Sequence, residues 1–276
     1  MTKPGLLRTV FDHSFLGTVP RHWELLQRLA WRDIESRFRG SRLGMYWALV
    51  SPVIILAIYT IAFSTIIQPR WQAAVDRKTD IALIYFSGLV VFDFFIECLN
   101  RSSNLMHEHR FYIKRMVFPV ELLAYVVLIG ASFRLVIGSS LLLVFFVLTH
   151  GTLPLGVFFL PVPIFFLALI ALGVVWSFSA IGAYAKDVGL LVSALSPVLM
   201  FVSPVFFPST MIPETFRTVL YVNPLTIPIE WVRSVFFGFD PPSVTASVVY
   251  MIFAVAFAHF GFRVFQNLRR EFADLL

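Results

Sequence analysis

The sequence contains few charged residues and almost no cysteine. Charged residues make up 14% of its 276 residues, whereas 58% are hydrophobic, which leaves too little polar surface to cover a soluble globule. The single Cys98 excludes a disulfide within the chain. Charges run through residues 1–43, so no cleavable signal peptide is expected there. The composition therefore predicts an all-α membrane protein, because helices satisfy their own backbone groups in lipid.

The motifs of common catalytic and metal sites are also missing. The sequence has no Gly-x-x-x-x-Gly-Lys-Ser/Thr loop for a nucleotide phosphate and no Gly-x-Ser-x-Gly elbow. His107 and His109 flank Glu108 without forming a His-Glu-x-x-His pair, and Cys98 has no second thiol. We interpret these histidines as solvated loop residues. We expect no enzyme, no bound metal or cofactor, and no ATP hydrolysis by a P-loop of this chain.

Long apolar runs dominate the sequence instead. A membrane helix needs about 20 predominantly apolar residues, and six runs of that kind are present. The predicted spans are residues 44–67, 81–99, 117–149, 153–184, 188–207 and 244–265. They divide the chain into an N-terminal segment (residues 1–43), a transmembrane domain (residues 44–265) and a tail (residues 266–276). No internal repeat of fixed period is found.

The distribution of basic residues predicts the orientation, because cytoplasmic segments keep an excess of lysine and arginine during insertion. An even number of spans places both termini on one side of the membrane. Sixteen lysines and arginines fall on that side and five on the other, while Arg134 lies within the third span. Both termini are therefore predicted to be cytoplasmic. The net charge of +6 is attributed to orientation and lipid headgroups rather than to nucleic-acid binding.

The segment before the first span has the pattern of an amphipathic helix. Its charged residues recur at a spacing of three or four on one stripe, and Pro20 stands where a helix start tolerates proline. The charged stripe comprises Arg21, Glu24, Arg28, Arg32, Glu35 and Arg39, and the apolar face comprises Trp23, Leu26, Ala30, Ile34 and Phe38. We predict an interfacial helix that anchors on the membrane. Docking of a soluble partner on the charged stripe is the alternative.

Four charged residues lie within the second and third predicted spans. Asp93 and Glu97 lie one turn apart in the second span, and Glu121 and Arg134 belong to the third. A proton relay is one interpretation. A structural pair between Asp93 and Arg134 is favoured, because a charge without a partner is costly inside a membrane.

Three segments of the sequence carry distinctive motifs. Residues 32–60 contain Arg-Asp-Ile, Arg-x-Arg-Gly-Ser-x-Leu-Gly, Trp-Ala-Leu and then Pro52, in that order, residues 183–189 read AYAKDVG, and residues 203–238 contain Asn223-Pro224 and Arg233. These segments resemble the ABC-2 permeases that export O-antigen, capsular polysaccharide or teichoic acid, and the third is similar to the family's external segment between spans five and six. Lys186 stands where the family more often has arginine, and lysine lacks the planar fork of arginine. The resemblance begins at residue 20 and does not cover the first 19 residues.

This resemblance implies the permease half of an ATP-driven exporter in the bacterial inner membrane. Such permeases form homodimers of six-span subunits around one pore, with two separate P-loop ATPase subunits that bind ATP and Mg²⁺. The implied substrate is a polysaccharide linked to a polyprenyl diphosphate, and short re-entrant gate helices are implied between spans five and six. An ABC-2 permease for a drug or a lipid is an alternative, as is a proton-coupled secondary transporter.

The resemblance also implies a role for particular residues. The ATPase-coupling segment corresponds to Arg101, Glu108, Arg110, Lys114 and Arg115, where Asn100, Ser102 and Ser103 are candidate helix caps. The substrate diphosphate would meet Arg28, Arg32, Arg37 and Arg39 of the interfacial helix. The pore would be lined by Pro52, Tyr59, Phe63 and Phe201, and sugar rings would stack on Tyr59 and Phe63. The external gate would contain Pro204, Phe207, Asn223, Pro224, Glu230 and Arg233.

Overall fold

The computed structural model describes residues 15–62, 78–113, 118–185, 187–209, 212–213 and 220–272, and every regular element in these ranges is a helix. In chain order the α-helices are α1 (Phe15–Arg21), α2 (Trp23–Phe38), α3 (Trp47–Ile61), α4 (Lys78–Ser102), α5 (Leu105–Glu108), α6 (Arg110–Ile113), α7 (Leu122–His150), α8 (Pro161–Tyr184), α9 (Val188–Val202), α10 (Thr226–Phe237) and α11 (Val244–Leu268). Short 3₁₀ helices precede α3 (Gly44–Tyr46) and α8 (Leu155–Phe159) and follow α11 (Arg269–Glu271). The chain is an all-α, polytopic membrane protein.

Five segments in the described part of the chain are long and apolar enough to cross a membrane. They are Gly44–Ile61, Thr79–Ser102, Leu122–His150, Leu155–Tyr184 and Val244–Leu268. Helix α9, the predicted fifth span, has 15 residues, about 22 Å at 1.5 Å per residue, against a hydrocarbon core of about 30 Å. It ends at Val202 because Ser203 is extended and Pro204 follows. The count of six spans therefore stays a prediction.

The other predicted boundaries are displaced by a few residues. Helix α4 extends three residues beyond the predicted span at each end, and α11 continues three residues further. Helix α7 starts five residues late, because residues 118–121 form a turn around Pro119. The predicted fourth span opens with a 3₁₀ helix rather than an α-helix. The end of the first predicted span, after Ala62, lies outside the described residues.

Helix α4 is the centre of the molecule. It contacts α3, α7, α8, α9 and α10. From Asp80 to Leu99 its side chains are buried, except for the exposed Asp93 and the half-buried Ile96. Because neighbours cover nearly every face of α4, the exposed Asp93 marks a gap in the packing.

Helices α8 and α11 cross at a close contact made by two glycines. A Cβ atom on Gly261 would lie 2.7 Å from Gly173 Cα, and a Cβ atom on Gly173 would lie 2.8 Å from the carbonyl oxygen of Phe257. Real Cβ atoms do not approach other atoms so closely, so both positions need glycine. Small residues at a crossing are a common way to pack membrane helices, because they let the backbones approach.

The interfacial helix α2 packs on the protein itself. Of the face predicted to lie on the membrane, Leu26, Ala30 and Ile34 are buried, together with Leu29, and α2 contacts α7. Trp23 of the same face is 51% exposed. Part of the predicted membrane-facing surface is therefore covered by the protein.

The connection from α2 to α3 explains the two glycines of the Arg-Gly-Ser-x-Leu-Gly motif. Gly40 and Gly44 have φ angles of +82° and +51°, a region that residues with a Cβ atom rarely adopt. They turn the chain from α2 into α3.

The prediction that Pro20 starts the amphipathic helix was wrong, because this residue lies in the last turn of α1 and α2 begins at Trp23.

Candidate functional site

Five charged side chains form one network where α2, α4 and α7 meet. Glu97 accepts hydrogen bonds from Arg37 and from Arg134, whose Nε lies 2.6 Å away. Asp33 accepts from Arg37 at 2.8 Å and from both terminal nitrogens of Arg101 at 2.6 and 3.1 Å. The order Arg101–Asp33–Arg37–Glu97–Arg134 alternates in sign, so each carboxylate is shared by two guanidinium groups.

Helix geometry accounts for this interlocking arrangement. Asp33 and Arg37 are four residues apart on α2, and Glu97 and Arg101 are four apart on α4, so each pair shares one helix face. Gly130 of α7 completes the site, since a Cβ atom there would run into the Arg37 guanidinium and lie 3.0 Å from the Asp33 carboxylate. Burial by itself raises the pKa of Asp33, but the hydrogen bonds and charges of its two arginines outweigh burial and lower that pKa below its ordinary value.

Arg134 makes its close contact with Glu97, at 2.5 Å, and not with Asp93, the predicted partner. Arg134 acts on Asp93 through its charge alone, and the Asp93 carboxylate makes no hydrogen bond or close ion pair with the described residues. Sequence spacing did not separate the two acids, because they lie one turn apart on the same face of α4. The tilt and rotation of α7 against α4 decide which of them meets the arginine.

A cavity of about 420 Å³ lies beside this network, between α2, α3, α4 and α7. Asp93, Arg37 and Arg134 contribute its charged wall, and Trp47 and Pro52 belong to the α3 wall. The remaining lining residues are Phe38, Ala48, Ser51, Ile55, Phe86, Leu89, Val90, Phe94, Leu135 and Gly138. Pro52, a predicted pore residue, therefore lines the same cavity as Asp93 and Arg134. The sequence alone did not indicate that these residues share a site.

The other predicted pore residues are distributed over two helices. Tyr59 of α3 is half-buried and packs against the core, whereas Phe201 of α9 is 72% exposed. Phe63 lies outside the described residues. Helices α3 and α9 both contact α4, and both leave most of their other apolar side chains uncovered.

The four arginines predicted to meet a diphosphate do not form one free basic patch. Arg28 and Arg39 are exposed. Arg32 donates a hydrogen bond to the Tyr112 hydroxyl and lies 5.4 Å from the centre of that ring. Arg37 is held in the charged network. Two of the four are therefore committed to contacts within the protein.

The predicted coupling segment forms the two short helices α5 and α6. Glu108 and Arg110 are exposed at its surface, whereas Arg101 points its guanidinium at Asp33. Lys114 and Arg115 lie outside the described residues. The predicted caps were wrong, because α5 starts after Asn104 with no side-chain cap bond.

The two histidines of this segment bond to backbone carbonyl groups, His107 to another helix and His109 within the segment. His107 Nε2 donates to the carbonyl oxygen of Gly182 at 3.1 Å, and His109 Nδ1 donates to the carbonyl oxygen of Leu105 at 3.0 Å. Both rings are half-buried. Our interpretation of solvated loop histidines was therefore wrong. Within the described ranges, no group of three or more His, Cys, Asp or Glu side chains is placed to hold a metal ion.

Three of the predicted gate residues meet where α9 ends. Arg233 of α10 is 3% exposed and donates to the carbonyl oxygens of Pro204 and Val205, the latter at 2.6 Å. Asn223 donates to Ser203 Oγ at 2.8 Å and accepts from a backbone nitrogen two residues later at 3.0 Å. These bonds fasten α10 to the segment that follows α9.

The remaining gate residues lie around this contact. Glu230 is hydrogen-bonded to Ser209 and Tyr221, and Phe207 and Pro224 are half-buried. Sequence reasoning missed Ser203, whose hydroxyl receives the Asn223 amide. The Ser203-Pro204 pair, which ends α9, is the sequence feature that could have indicated this position.

The sequence has relatives that match over nearly its full length. Residues 24–237, well over half of the chain, match a family described as ABC-2 type transporter. The O-antigen export system permease protein RfbA of Myxococcus xanthus is 23% identical over 253 residues, which cover 91% of this chain and 94% of that protein. Two RfbA proteins of Klebsiella pneumoniae with the same description are 23% identical over 258 residues, which cover 92% of this chain and 95% of theirs.

Proposed function

Because this chain belongs to the ABC-2 type transporter family, we propose that it is the membrane-spanning permease subunit of an ATP-driven exporter of lipid-linked polysaccharide. The observation that carries the proposal is the end-to-end similarity to three permeases of O-antigen export. The sequence has no P-loop, so ATP and Mg²⁺ bind to a separate ATPase subunit. The chain itself supplies the passage through the bilayer.

The proposed assembly is a homodimer with two ATPase subunits in the bacterial inner membrane, with all termini in the cytoplasm. The excess of lysine and arginine on the side of the termini supports that orientation. The uncovered apolar faces of α3 and α9 support a second copy, since both helices are far less buried than α4.

The proposed ATPase-docking surface is the exposed side of α5 and α6. Phe111 is 73% exposed there, and the Arg110 guanidinium lies 5.2 Å from the centre of its ring. An exposed aromatic residue beside charged Glu108 and Arg110 has the composition of an interface anchor. Since His107 ties this segment to α8, force applied by an ATPase would reach the membrane helices directly.

The proposed path of the substrate starts at the interfacial helix and ends at the external segment. Arg28 and Arg39 remain exposed to meet a diphosphate near the membrane surface. The glycan would pass between α3 and α9 of the two copies. The contact of α10 with the end of α9, made by Asn223 and Arg233, would be the hinge of the external gate.

Deletion and complementation test the function. A strain without the gene should lose surface polysaccharide and accumulate lipid-linked glycan inside, and the wild-type gene should restore export. Export that continues at the normal level in the deletion strain would refute the proposal. So would ATP hydrolysis at a transporter-like rate by the purified chain alone.

A charge reversal tests the docking surface. Arg110→Glu together with Phe111→Ala should reduce co-purification of the ATPase subunit about tenfold or more, the loss expected for removing an interface anchor. Arg21→Glu is the matched control, because Arg21 is also exposed but lies outside α5 and α6. Equal co-purification of the two variants would show that the ATPase docks elsewhere.

A further inference from the structure

The cavity between α2, α3, α4 and α7 has the chemistry of a carbohydrate site. It joins a carboxylate, two arginines and a tryptophan within one space inside the membrane domain. We infer that this cavity binds a sugar ring of the exported glycan, with the Asp93 carboxylate accepting hydrogen bonds from the sugar hydroxyls. The inference rests on the proposed function and assigns a subsite to its substrate.

The state of Asp93 calls for a ligand that donates hydrogen bonds. Its side chain is exposed to the cavity, and Arg134 acts on it through charge, but no residue in the described ranges makes a hydrogen bond to its carboxylate. A carboxylate within a spanning helix is costly unless its oxygens have partners. Ionised carboxylate oxygens only accept hydrogen bonds, so the missing hydrogen-bond partner is a donor.

The charge balance of the walls favours a neutral ligand. Arg37 and Arg134 line the cavity, but both already share Glu97. The network carries three guanidinium groups and two carboxylates, and Asp93 brings the total to zero. A diphosphate would be repelled by Asp93, and a cation would be repelled by the two arginines. A sugar ring satisfies the carboxylate without adding charge.

The aromatic walls supply the second element of sugar recognition. Trp47 is 41% exposed and belongs to the α3 wall, while Phe38, Phe86 and Phe94 line other parts of the cavity. An aromatic face packs against the apolar C–H face of a sugar while the hydroxyls remain free to bind a carboxylate. Ser51 adds a further hydroxyl to the α3 wall.

Size and position suit a short part of the glycan. A volume of about 420 Å³ lies within the range of small-molecule sites, about 300 to 1,000 Å³, and is far too small for a polymer. The cavity touches the end of α2 and the first three turns of α3. A sugar held there would lie next to the diphosphate that the exposed arginines of α2 are proposed to meet.

Photoaffinity labelling with two matched amphiphiles tests the inference. The probes are a decyl glucoside and a decyl phosphate that carry the same diazirine on the carbon chain beside the head group. The full-length chain in phospholipid nanodiscs is irradiated with each probe, and labelled peptides are mapped by mass spectrometry. The glucoside should label peptides of α3, α4 and α7 around the cavity, and excess octyl glucoside should compete with it.

Two variants and one control measure the contribution of the walls. Asp93→Ala should reduce glucoside labelling of the cavity peptides about tenfold or more, the loss expected for a hydrogen bond to a charged group. Trp47→Leu should reduce it as well, because the stacking face is removed. Asp240→Ala is the matched control, since Asp240 is exposed outside the cavity, and it should label like the wild type. Size-exclusion chromatography confirms that each variant is folded.

Two outcomes would overturn the inference. The first is preferential labelling of the cavity by the phosphate probe, and the second is undiminished glucoside labelling of Asp93→Ala. Neither outcome touches the proposed function if the deletion strain still loses surface polysaccharide. Conversely, if the deletion strain exported polysaccharide normally while glucoside labelling of the purified protein still depended on Asp93, the proposed function would fail and the cavity would remain a sugar site.

Discussion

Glu97 holds together three parts of the molecule that are distant in sequence. Its side chain is 4% exposed and binds Arg37 of the interfacial helix and Arg134 of the third apolar helix. Removing one member of a buried ion pair is costly, because it leaves the partner charge without compensation. Substituting Glu97 would leave both Arg37 and Arg134 without the carboxylate that they share.

Replacing Glu97 should therefore destabilise the protein more than replacing an ordinary paired glutamate. Glu97→Gln is expected to cost about 3 kcal/mol. Glu121→Gln, the matched control, is expected to cost about 1 kcal/mol or less, because Glu121 has a single arginine partner among the described residues, Arg269, and that partner is 40% exposed. Thermal unfolding of both variants in detergent, followed by tryptophan fluorescence, measures the difference. Equal unfolding midpoints would contradict the central role of Glu97.

At the scale of whole helices, the crossing of α8 and α11 depends on two glycines that let the backbones of two apolar helices touch. Both helices are hydrophobic around most of their circumference, so side-chain pattern does not fix how they dock. The two glycines at positions 173 and 261 fix the docking, because each accepts the other helix's backbone where a Cβ atom would stand.

A single methyl group at this crossing should force the helices apart. Gly261→Ala is expected to destabilise the protein by about 1 to 3 kcal/mol, the usual cost of overpacking. Ala256→Leu adds more atoms to the same helix at an exposed position and should change the unfolding midpoint little. The comparison is made by thermal unfolding in the same detergent. If both variants matched the wild type, the close crossing would be refuted.

At the scale of the whole molecule, the covering of the helices is uneven. Helix α4 is enclosed by its neighbours, whereas 11% of the first apolar segment is buried and α9 has one buried side chain, Val192. Apolar faces of this kind are satisfied by lipid or by another membrane helix. The proposed homodimer places them against a second copy.

Cross-linking with introduced cysteines distinguishes lipid from a second copy. The native Cys98 is fully buried, so it contributes little background. Ile58→Cys on α3 and Val198→Cys on α9 should each yield cross-linked dimers in native membranes with a short bifunctional reagent. Ile252→Cys on α11 is the control and should remain monomeric, although Ile252 is 65% exposed. If only the Ile252→Cys variant formed dimers, the interface between the two copies would lie on α11 and not on α3 and α9.

The sequence by itself determined the class of the protein and the approximate position of its membrane helices. Runs of about 20 apolar residues have one solution in lipid, because an isolated helix is the structure that satisfies its own backbone. The turn between α2 and α3 was also marked in the sequence, because Gly40 and Gly44 adopt positive φ angles that other residues resist. The buried stripe of Leu26, Ala30 and Ile34 followed from helical periodicity.

The tertiary structure alone decided which charges pair and where the cavity lies. Asp93 and Glu97 share one helix face, so spacing could not reveal that Arg134 binds Glu97 and leaves Asp93 to the cavity. That choice depends on the rotation and tilt of α7 against α4, which are set by packing contacts across the sequence. The anchoring of the segment after α9 has the same origin, because its backbone carbonyl groups bind Arg233, which lies 28 to 29 residues further along the chain. Apolar composition places a helix in the membrane, whereas its rotation and tilt are determined by the helices that pack against it.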